Sequence, residues 1–378
     1  MGHQDIIVIF YKTRFSRHRL EMIRRDTLRG YILEEVLAYL IRNAGYELLV
    51  DARQDSRELV RGRAGLAVRG RGADHQADVL GELGWIPAFT YPLRLFAEAK
   101  FRKAKTGIPT VRNAIGVVLD VNQNNMPNQK DSRPAQKYHY AYVIFSTSGF
   151  SSEAQAMALA HQVSLVDLSG PEYNRLRNEI DSAARNIPDQ ILGKPNLIPN
   201  LRYALRKKLH TLPDSVRELP AEESIDPSLA RRLGRLAEPA IGVAREYGEL
   251  FVAMANGPYM LLLKSRAPKN FLRYARKNPK HKVVIHWSTE YNQAGTWVVQ
   301  PTEDDLSYTL EFRLPEALYH WIFDAGTDVS DRARSIKRRF FSNITIYRRE
   351  KKGDRIFKLE YDPSVAPRHA YPAGPQYS

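Results

Sequence analysis

Residues Leu95–Phe101 read LFAEAKF, and this stretch decides how the first half of the chain is interpreted. The surrounding residues are apolar, which predicts a strand over 93–101. Glu98 and Lys100 interrupt the apolar run, and residues two apart on a strand project from the same face. Burying two charges is costly unless they pair or bind something. The stretch therefore predicts a strand that carries two charged side chains into one site.

Helix and strand patterns alternate on both sides of this stretch. Before it, the sequence predicts strands at 5–11, 46–50 and 76–83, a helix at 27–44, and a polar, arginine-rich mobile connection at 51–72. After it, the sequence predicts a helix at 111–121, a strand at 139–145, a helix that a capping box opens at Ser152 and that runs to Ala160, and a strand at 163–168. We expect an antiparallel pair of 76–83 with 93–101, and a parallel crossover at the end. This half is predicted to be α/β.

The rest of the chain changes character twice. Prolines recur between 186 and 240 and indicate a Pro-rich linker or helical bridge. Strand-like runs follow, and a hairpin is predicted around Lys352-Gly353-Asp354. We therefore divide the chain into a domain over 1–185, the linker or bridge over 186–240, a basic α+β domain over 241–362 that binds a target or partner, and a flexible tail over 363–378.

Composition narrows the classes of function. Lys and Arg number 57 against 42 Asp and Glu, and the resulting charge of +15 favours polyanionic partners. Cysteine is absent, which excludes disulfides, thiolate nucleophiles and cysteine-ligated metals. No apolar run approaches the roughly 20 residues that span a bilayer, and the N-terminus lacks a signal-peptide pattern. We expect no membrane association and a cytoplasmic location.

Basic residues cluster at 53–71 and at 331–358, where eleven Lys and Arg accompany three acidic residues. These clusters are candidates for sequence-independent contacts with nucleic-acid phosphates. The alternatives for 331–358 are a partner surface or a solvated helix. The candidate nucleic-acid contacts are Arg63, Arg69, Arg71, Lys103, Lys337, Arg338, Arg339, Lys351 and Lys352.

An acidic residue on the neighbouring predicted strand extends the charged pair. Asp78 lies twenty residues before Glu98 and falls beside it if the two strands pair. Two carboxylates at one strand end suit Mg²⁺, which prefers oxygen ligands and promotes phosphodiester hydrolysis. Lys100 would then orient or activate the attacking water and stabilise developing charge. An isolated E-x-K pair on a strand is, however, more often a salt bridge.

The region from about 28 to 170 resembles the Mrr-type branch of the restriction-endonuclease-like superfamily, whose signature is written PD-(D/E)xK. The matching parts follow in order: Glu34 in a helix before Gly45-Tyr46, GADHQAD at 72–78, AEAK at 97–100, a helix from Val111, and IFSTSGFSSEAQAMA at 144–158 before a strand ending near Asp167. Ala77 stands where the signature has proline, a variation that leaves the ligand chemistry untouched.

The resemblance implies a restriction-endonuclease-like core, a mixed central sheet flanked by helices, joined to the α+β C-terminal domain. It implies a metal-dependent DNA endonuclease in which Asp78 and Glu98 bind Mg²⁺, with Mn²⁺ as a substitute, and Lys100 is the catalytic lysine. Glu34 would be an accessory acid, although the adjacent Glu35 is an alternative. Gln76 shares the strand face of Asp78 and is a provisional contact for phosphate or water, whereas His75 is a candidate turn cap.

The leading hypothesis is a restriction or anti-phage defence nuclease acting on DNA, with RNA left open as a substrate. A homodimer would present two sites to two strands, and a defence-system partner protein is the other expected association. The competing hypothesis is a catalytically idle nucleic-acid-binding or scaffold protein that retains the fold.

Overall fold

The computed structural model describes most of the chain with internal gaps. The described residues are 22–62, 65–85, 90–123, 136–212, 225–247, 250–255, 260–265, 267–287, 296–303, 307–313, 329–350 and 353–365. The predicted strand at 5–11 lies outside them, as does most of the predicted tail.

The first part of the chain contains eleven described helices and strands. In chain order they are α1 (Arg25–Asn43), β1 (Tyr46–Leu49), β2 (Leu59–Gly62), β3 (Gly65–Arg69), β4 (Asp74–Gln76), β5 (Val79–Leu83), β6 (Leu93–Lys100), α2 (Ile108–Asn122), β7 (His139–Ser146), α3 (Ser152–Ala160) and β8 (Ser164–Asp167). Five of the strands form a mixed sheet in the order β1-β5-β6-β7-β8. The expected antiparallel pair is confirmed as β5 with β6, and the expected parallel crossover as β7-α3-β8.

Alternation along β6 assigns its two faces to different helices. Leu95, Ala97 and Ala99 belong to the apolar core that includes α1, whereas Phe96 belongs to the core that includes α2 and α3. Side chains alternate across a strand, so Glu98 and Lys100 share the face of Phe96. The mixed sheet is therefore flanked by helices on both faces, and the charged pair lies on the α2 face.

The prediction of a mobile connection over 51–72 is wrong for the described residues. This segment contains β2 and β3, which form a three-stranded antiparallel sheet with β4. Its buried Leu59, Ala67 and Val68 lie between exposed arginines, so apolar packing orders the strands although the segment is rich in charge. The predicted strand over 76–83 is in fact two strands, interrupted at Ala77 and Asp78. Helix α3 is capped by Ser151, one residue before the predicted cap.

Helices follow the mixed sheet. They are α4 (Asn174–Asn186), α5 (Asp189–Leu192), α6 (Leu197–Leu209), α7 (Pro227–Leu236) and α8 (Glu238–Tyr247). Ile191, Leu201 and Leu233 are completely buried or nearly so, in the same core as α1. The described residues between 186 and 240 thus form helices, of which α6 and α8 pack against α1 and α7 packs against α6.

The last part of the described chain is a closed barrel with two helices beside it. Its elements are β9 (Phe251–Ala255), β10 (Met260–Ser265), α9 (Pro268–Lys277), β11 (Lys280–Trp287), β12 (Thr296–Pro301), β13 (Leu310–Arg313), α10 (Val329–Phe340), β14 (Asn343–Glu350) and β15 (Gly353–Tyr361). Seven strands close in the order β10-β13-β12-β11-β15-β14-β9, and only β11 with β15 is a parallel pair. The predicted hairpin is confirmed as β14 with β15, whereas barrel closure was not predicted. None of the described helices has both the length and the apolar character needed to cross a bilayer.

A buried guanidinium fixes the small sheet to the central one. Arg94, on β6, is only 1% exposed. Its Nη2 donates to Asp55 Oδ2 at 2.7 Å and to Glu82 Oε2 at 2.9 Å, and its Nη1 donates to the Tyr140 hydroxyl at 3.1 Å. The guanidinium carbon lies 3.3 Å from the centre of the Tyr138 ring. The Arg94 guanidinium therefore neutralises two carboxylates, those of Asp55 and Glu82, which are partly removed from solvent.

We expect Arg94→Ala to lower the free energy of unfolding by about 3–5 kcal/mol, because it leaves Asp55 and Glu82 without their counter-ion. Urea denaturation measures this quantity. The control is Arg53→Ala, which breaks the Arg53–Asp51 pair at a side chain that is 59% exposed and should change stability by no more than about 1 kcal/mol. Equal effects of the two substitutions would contradict this account of Arg94.

Candidate active site

The register of β5 with β6 places two acids side by side. Val79 pairs with Ala97, so the next antiparallel position places Asp78 opposite Glu98, as the sequence predicted. Asp78 Oδ2 accepts a hydrogen bond from the Ala99 backbone N–H at 2.9 Å. The Asp78 carboxylate is therefore held against the end of β6 by the backbone of that strand.

The Glu98 carboxylate makes two contacts, one with a side chain on the neighbouring strand β7 and one with a side chain on its own strand, β6. Its Oε2 accepts a hydrogen bond from the Tyr142 hydroxyl on β7 at 3.0 Å. Its Oε1 forms an ion pair with Lys100 Nζ. Burial and the charge of Glu98 raise the pKa of Tyr142, so this hydroxyl remains a proton donor. The carboxylate of Glu98 is thereby fixed in orientation, with most of its surface removed from solvent.

The surroundings of Asp78 disfavour its charged form, because its carboxylate is buried and lies near the carboxylate of Glu98. Burial raises the pKa of Asp78, the Ala99 hydrogen bond and the Lys100 charge lower it, and the charge of Glu98 raises it. The net result is a pKa above the usual value for aspartate. Divalent cations relieve this kind of repulsion, because they bind several carboxylate oxygens at once.

The two acids open into one cleft of about 270 Å³. Its lining residues are Asp74, His75, Gln76, Asp78, Phe96, Glu98, Asn113, Val117 and Tyr142. Gln76 is exposed on β4 and lines this cleft together with Asp78 and Glu98, so the structure brings the provisional member to the predicted pair. Carboxylate, amide and hydroxyl oxygens predominate among the polar lining groups, and this donor set fits Mg²⁺ or Mn²⁺.

Asp74 also lines the cleft, but it does not complete a metal-binding group with Asp78 and Glu98 among the described residues. No group of three or more His, Asp or Glu side chains in the described ranges lies close enough to hold one ion. Asp78 and Glu98 would therefore need further ligands from water, from backbone oxygens or from a substrate phosphate. Mg²⁺ commonly binds through one or two carboxylates and retains several waters.

His75 belongs to a separate hydrogen-bonded unit at the rim of the cleft. Its Nε2 lies 2.7 Å from Asp120 Oδ2. Asp120 also accepts hydrogen bonds from the backbone N–H groups of Gly72 at 2.9 Å and Ala73 at 3.2 Å. A side chain at Gly70 would clash with this carboxylate. The Asp120 carboxylate thus fixes the turn before β4, and His75 lies beside that turn.

Glu34 lies on α1, does not line the cleft, and is paired with a helix that the sequence did not connect to it. Its carboxylate forms an ion pair with Arg202 on α6, while Glu35 pairs with Arg206 at 2.9 Å. Burial raises the pKa of Glu34 to about 8, Arg202 acts to lower it, and the charge of Asp78 adds to the rise. Glu34 is therefore the α1 acid that interacts with Asp78, and Arg202 is a charged group that sequence reasoning missed.

The predicted nucleic-acid contacts are distributed unevenly. Arg69, Arg71, Lys103, Arg338 and Arg339 are exposed, whereas Arg63, Lys351 and Lys352 lie outside the described residues. The five exposed side chains do not line the cleft.

The prediction that Lys337 contacts nucleic acid is wrong. Its side chain is only 7% exposed and cannot contact a phosphate in this conformation. It donates to the Ile285 carbonyl at 2.9 Å and lies within 6 Å of the Trp297 and Tyr361 rings, at 5.7 and 5.6 Å. Burial lowers its pKa to about 8. The aliphatic stem of lysine permits burial against a barrel when the ammonium finds an oxygen and aromatic faces.

The Glu34 shift predicts a pH dependence of stability. Between about pH 5 and 8 the folded protein holds the Glu34 proton more tightly than the unfolded chain, so the free energy of unfolding should fall as pH rises. Between pH 5 and 8, the free energy of unfolding of Glu34→Gln should fall by roughly 2–4 kcal/mol less than that of the wild type. Urea denaturation at a series of pH values measures it. Glu47→Gln, at an exposed position of β1, should follow the wild-type profile. Parallel profiles for wild type and Glu34→Gln would contradict the assignment.

Comparison with known proteins leaves the family open. No family model matches the chain, and no curated protein matches it. A crystal structure titled Protein of Unknown Function AF1548 is similar at 20% identity, covering 56% of this chain and 98% of that chain, with a TM-score of 0.32. A similarity this weak carries no functional argument, so function must be argued from the residues of the cleft.

Proposed function

We propose that this protein is a divalent-metal-dependent endonuclease that hydrolyses phosphodiester bonds in DNA. One observation carries the proposal: Asp78 occupies the position opposite Glu98 next to the β5–β6 register, and the two acids line one cleft. Lys100 does not line the cleft but pairs with Glu98 from the same face of β6. The mixed sheet flanked by α1 and α2 is compatible with the restriction-endonuclease-like core that the sequence resemblance implies. Asp78 and Glu98 are the proposed ligands of Mg²⁺ or Mn²⁺.

The side chains of the cleft have separable roles in this mechanism. A bound divalent cation supplies a Lewis acid and lowers the pKa of water. The Lys100 ammonium forms an ion pair with the Glu98 carboxylate. In the mechanism it would position the attacking water and stabilise charge on the phosphate. Tyr142 and the Ala99 N–H are positioning groups, because each holds one oxygen of a proposed ligand. Gln76, at the rim, is placed to contact phosphate or water.

Duplex DNA is the proposed substrate, and RNA is the alternative that the test separates. The exposed Arg69, Arg71 and Lys103 supply positive charge on segments next to the cleft strands, which favours a polyanion. A role in restriction or anti-phage defence, a homodimer or defence-system partner, and a cytoplasmic location follow from the resemblance and the composition, and belong to the same proposal.

A second function has one specific observation in its favour. The Glu98–Lys100 ion pair is the contact expected if these residues formed only a structural salt bridge. A catalytically idle nucleic-acid-binding or scaffold protein would keep that pair and the exposed basic residues. The two functions differ in metal-dependent cleavage, which only the nuclease performs.

We expect the protein to cleave plasmid DNA with Mg²⁺ or Mn²⁺ and to lose this activity in EDTA. Asp78→Ala and Lys100→Ala should each reduce the rate by at least about 100-fold, because Asp78→Ala removes a proposed metal ligand and Lys100→Ala removes a positive charge at the reacting phosphate. Gel assays with plasmid, single-stranded DNA and RNA measure the rate and the substrate preference.

Matched controls are Asp331→Ala and Lys264→Ala, which remove exposed side chains on α10 and β10. Both should retain wild-type rates. Metal-dependent cleavage that survives Asp78→Ala and Lys100→Ala would refute the site. Binding of DNA without cleavage under every metal condition would favour the idle protein.

We also expect Tyr142→Phe to weaken Mn²⁺ binding about 10–100-fold, because Glu98 loses the donor that orients it. Titration calorimetry on the full chain measures the affinity. Tyr140→Phe is a matched control: Tyr140 lies two residues away on the same face of β7 and bonds to Arg94 and Glu58 instead. An unchanged affinity in Tyr142→Phe, or an equal loss in both variants, would remove Tyr142 from the metal site.

A further inference from the structure

Helix α9 presents a row of positive charge on the outside of the barrel. Phe271 and Ala275 are fully buried in the barrel core and fix the inner face of the helix. Its cationic side chains, Lys269, Arg273, Arg276 and Lys277, are all exposed. The helix contains no acidic residue. Its sequence, PKNFLRYARK, therefore separates into an aromatic and aliphatic inner face and a cationic outer face.

Three of these cations are not neutralised by the described part of the protein. Arg276 pairs with Glu350 at 2.8 Å. Within the described ranges, Lys269, Arg273 and Lys277 make no ion pair or hydrogen bond through their charged groups. The adjoining strand β11 differs, because Lys280 pairs with Glu360 and Lys282 with Asp362, each at 3.0 Å. Of these two adjoining elements, α9 is therefore the one with uncompensated charge.

The basic cluster over 331–358, which the sequence analysis singled out, differs from α9 in how many of its cations have partners inside the protein. Many cations of 331–358 have internal partners. The pairs are Arg334 with Asp331 at 3.3 Å, Arg349 with Asp354 at 3.2 Å, and Arg355 with Glu350 at 3.0 Å. Lys337 is buried. Part of the charge in that cluster is therefore balanced within the protein, although Arg338 and Arg339 on α10 are exposed, as is the row on α9.

The spacing of the row fits a nucleic-acid backbone. Positions 269, 273 and 277 are four residues apart, so they rise about 6 Å at each step along one side of the helix. One strand of duplex DNA has a phosphate about every 3.4 Å along the axis. Long lysine and arginine side chains at this spacing can reach several phosphates of one strand.

The helix is also rigidly supported. The Phe271 ring lies 4.6 Å from the Phe251 ring, 4.9 Å from the Tyr308 ring and 5.9 Å from the Phe357 ring. Pro268 occupies the first turn, where its fixed backbone angle favours helix initiation. A surface that is already ordered loses less conformational entropy on binding than a mobile one.

We propose that the outer face of α9 binds the phosphate backbone of duplex DNA through Lys269, Arg273 and Lys277, as a contact separate from the cleft. The inference rests on the proposed function in taking DNA as the ligand. Phosphate contacts of this kind determine affinity and orientation and do not read sequence. The face would hold the duplex on the barrel while the cleft acts on a phosphodiester bond.

The test measures binding and excludes cleavage. Fluorescence anisotropy of a labelled duplex is recorded in EDTA, with Asp78→Ala as the parent protein, over a series of salt concentrations. The triple variant Lys269→Ala, Arg273→Ala, Lys277→Ala should reduce the slope of log affinity against log salt by about 2–3, since each phosphate contact contributes about 0.9. At low salt its affinity should fall at least tenfold. Alanine favours helix, and exposed side chains are removed, so the fold should persist.

The chain provides a matched control on another helix. Arg231, Arg232 and Arg235 are exposed on α7 and also have no ion-pair partner among the described residues. Their triple alanine variant removes the same charge and should change the slope by less than about 1. An unchanged slope in the α9 variant, an equal loss in both variants, or a loss confined to single-stranded RNA would overturn the proposal.

The outcomes also separate this inference from the proposed function. If the wild-type protein cleaves DNA and the α9 variant binds it normally, the α9 surface is refuted and the nuclease stands. If the wild-type protein never cleaves but the α9 variant alone loses affinity, the surface stands and the nuclease is refuted.

Discussion

The pairing of β5 with β6 is the constraint on which the candidate site depends. Val79 opposite Ala97 places Asp78 opposite Glu98, and the Ala99 N–H then bonds to the Asp78 carboxylate. A slip of one residue would turn every side chain of a strand to the other face. Leu95, Ala97 and Ala99 pack towards α1, so such a slip would expose this core and bury Glu98 and Lys100 in it. Apolar packing on one face thus fixes the position of the charges on the other.

Charges that are partly removed from water must be compensated, and the fold does so from several directions. Lys100 pairs with Glu98, Tyr142 donates to Glu98, and Arg202 pairs with Glu34. Arg202 comes from α6, so helices between 186 and 240 contribute to the electrostatics of a site on the central sheet. This compensation is incomplete, because burial and neighbouring carboxylates still raise the pKa values of both Asp78 and Glu34.

The sequence predicted the parts of this site that depend on local pattern. Helix α1 has clear periodicity, β6 is an apolar run and its antiparallel partner alternates loosely. Asp78 beside Glu98 followed from pairing these two neighbouring strands. Tyr142 was missed because its position depends on the parallel register of β6 with β7, which no local pattern specifies. Arg202 was missed because α6 lies 168 residues beyond Glu34. The barrel was missed for the same physical reason: its closure depends on pairing of distant strands, and each strand alone is compatible with an open sheet.

The distribution of surface charge could not be predicted from the sequence either. A run of cations along the sequence indicates neither which of them meet acidic partners in the fold nor which face of a helix is buried. Lys337 belongs to the strongest basic run and is buried beside Trp297, whereas α9, with fewer cations, leaves a row of them exposed. The net charge of +15 is a sum over both kinds of residue. Attraction of a polyanion depends on the charges that remain exposed and uncompensated, because an ion pair at the surface has little field beyond a Debye length of about 8 Å. The distribution of ion pairs, more than the sequence density of Lys and Arg, therefore determines where the surface of this protein would attract a polyanion.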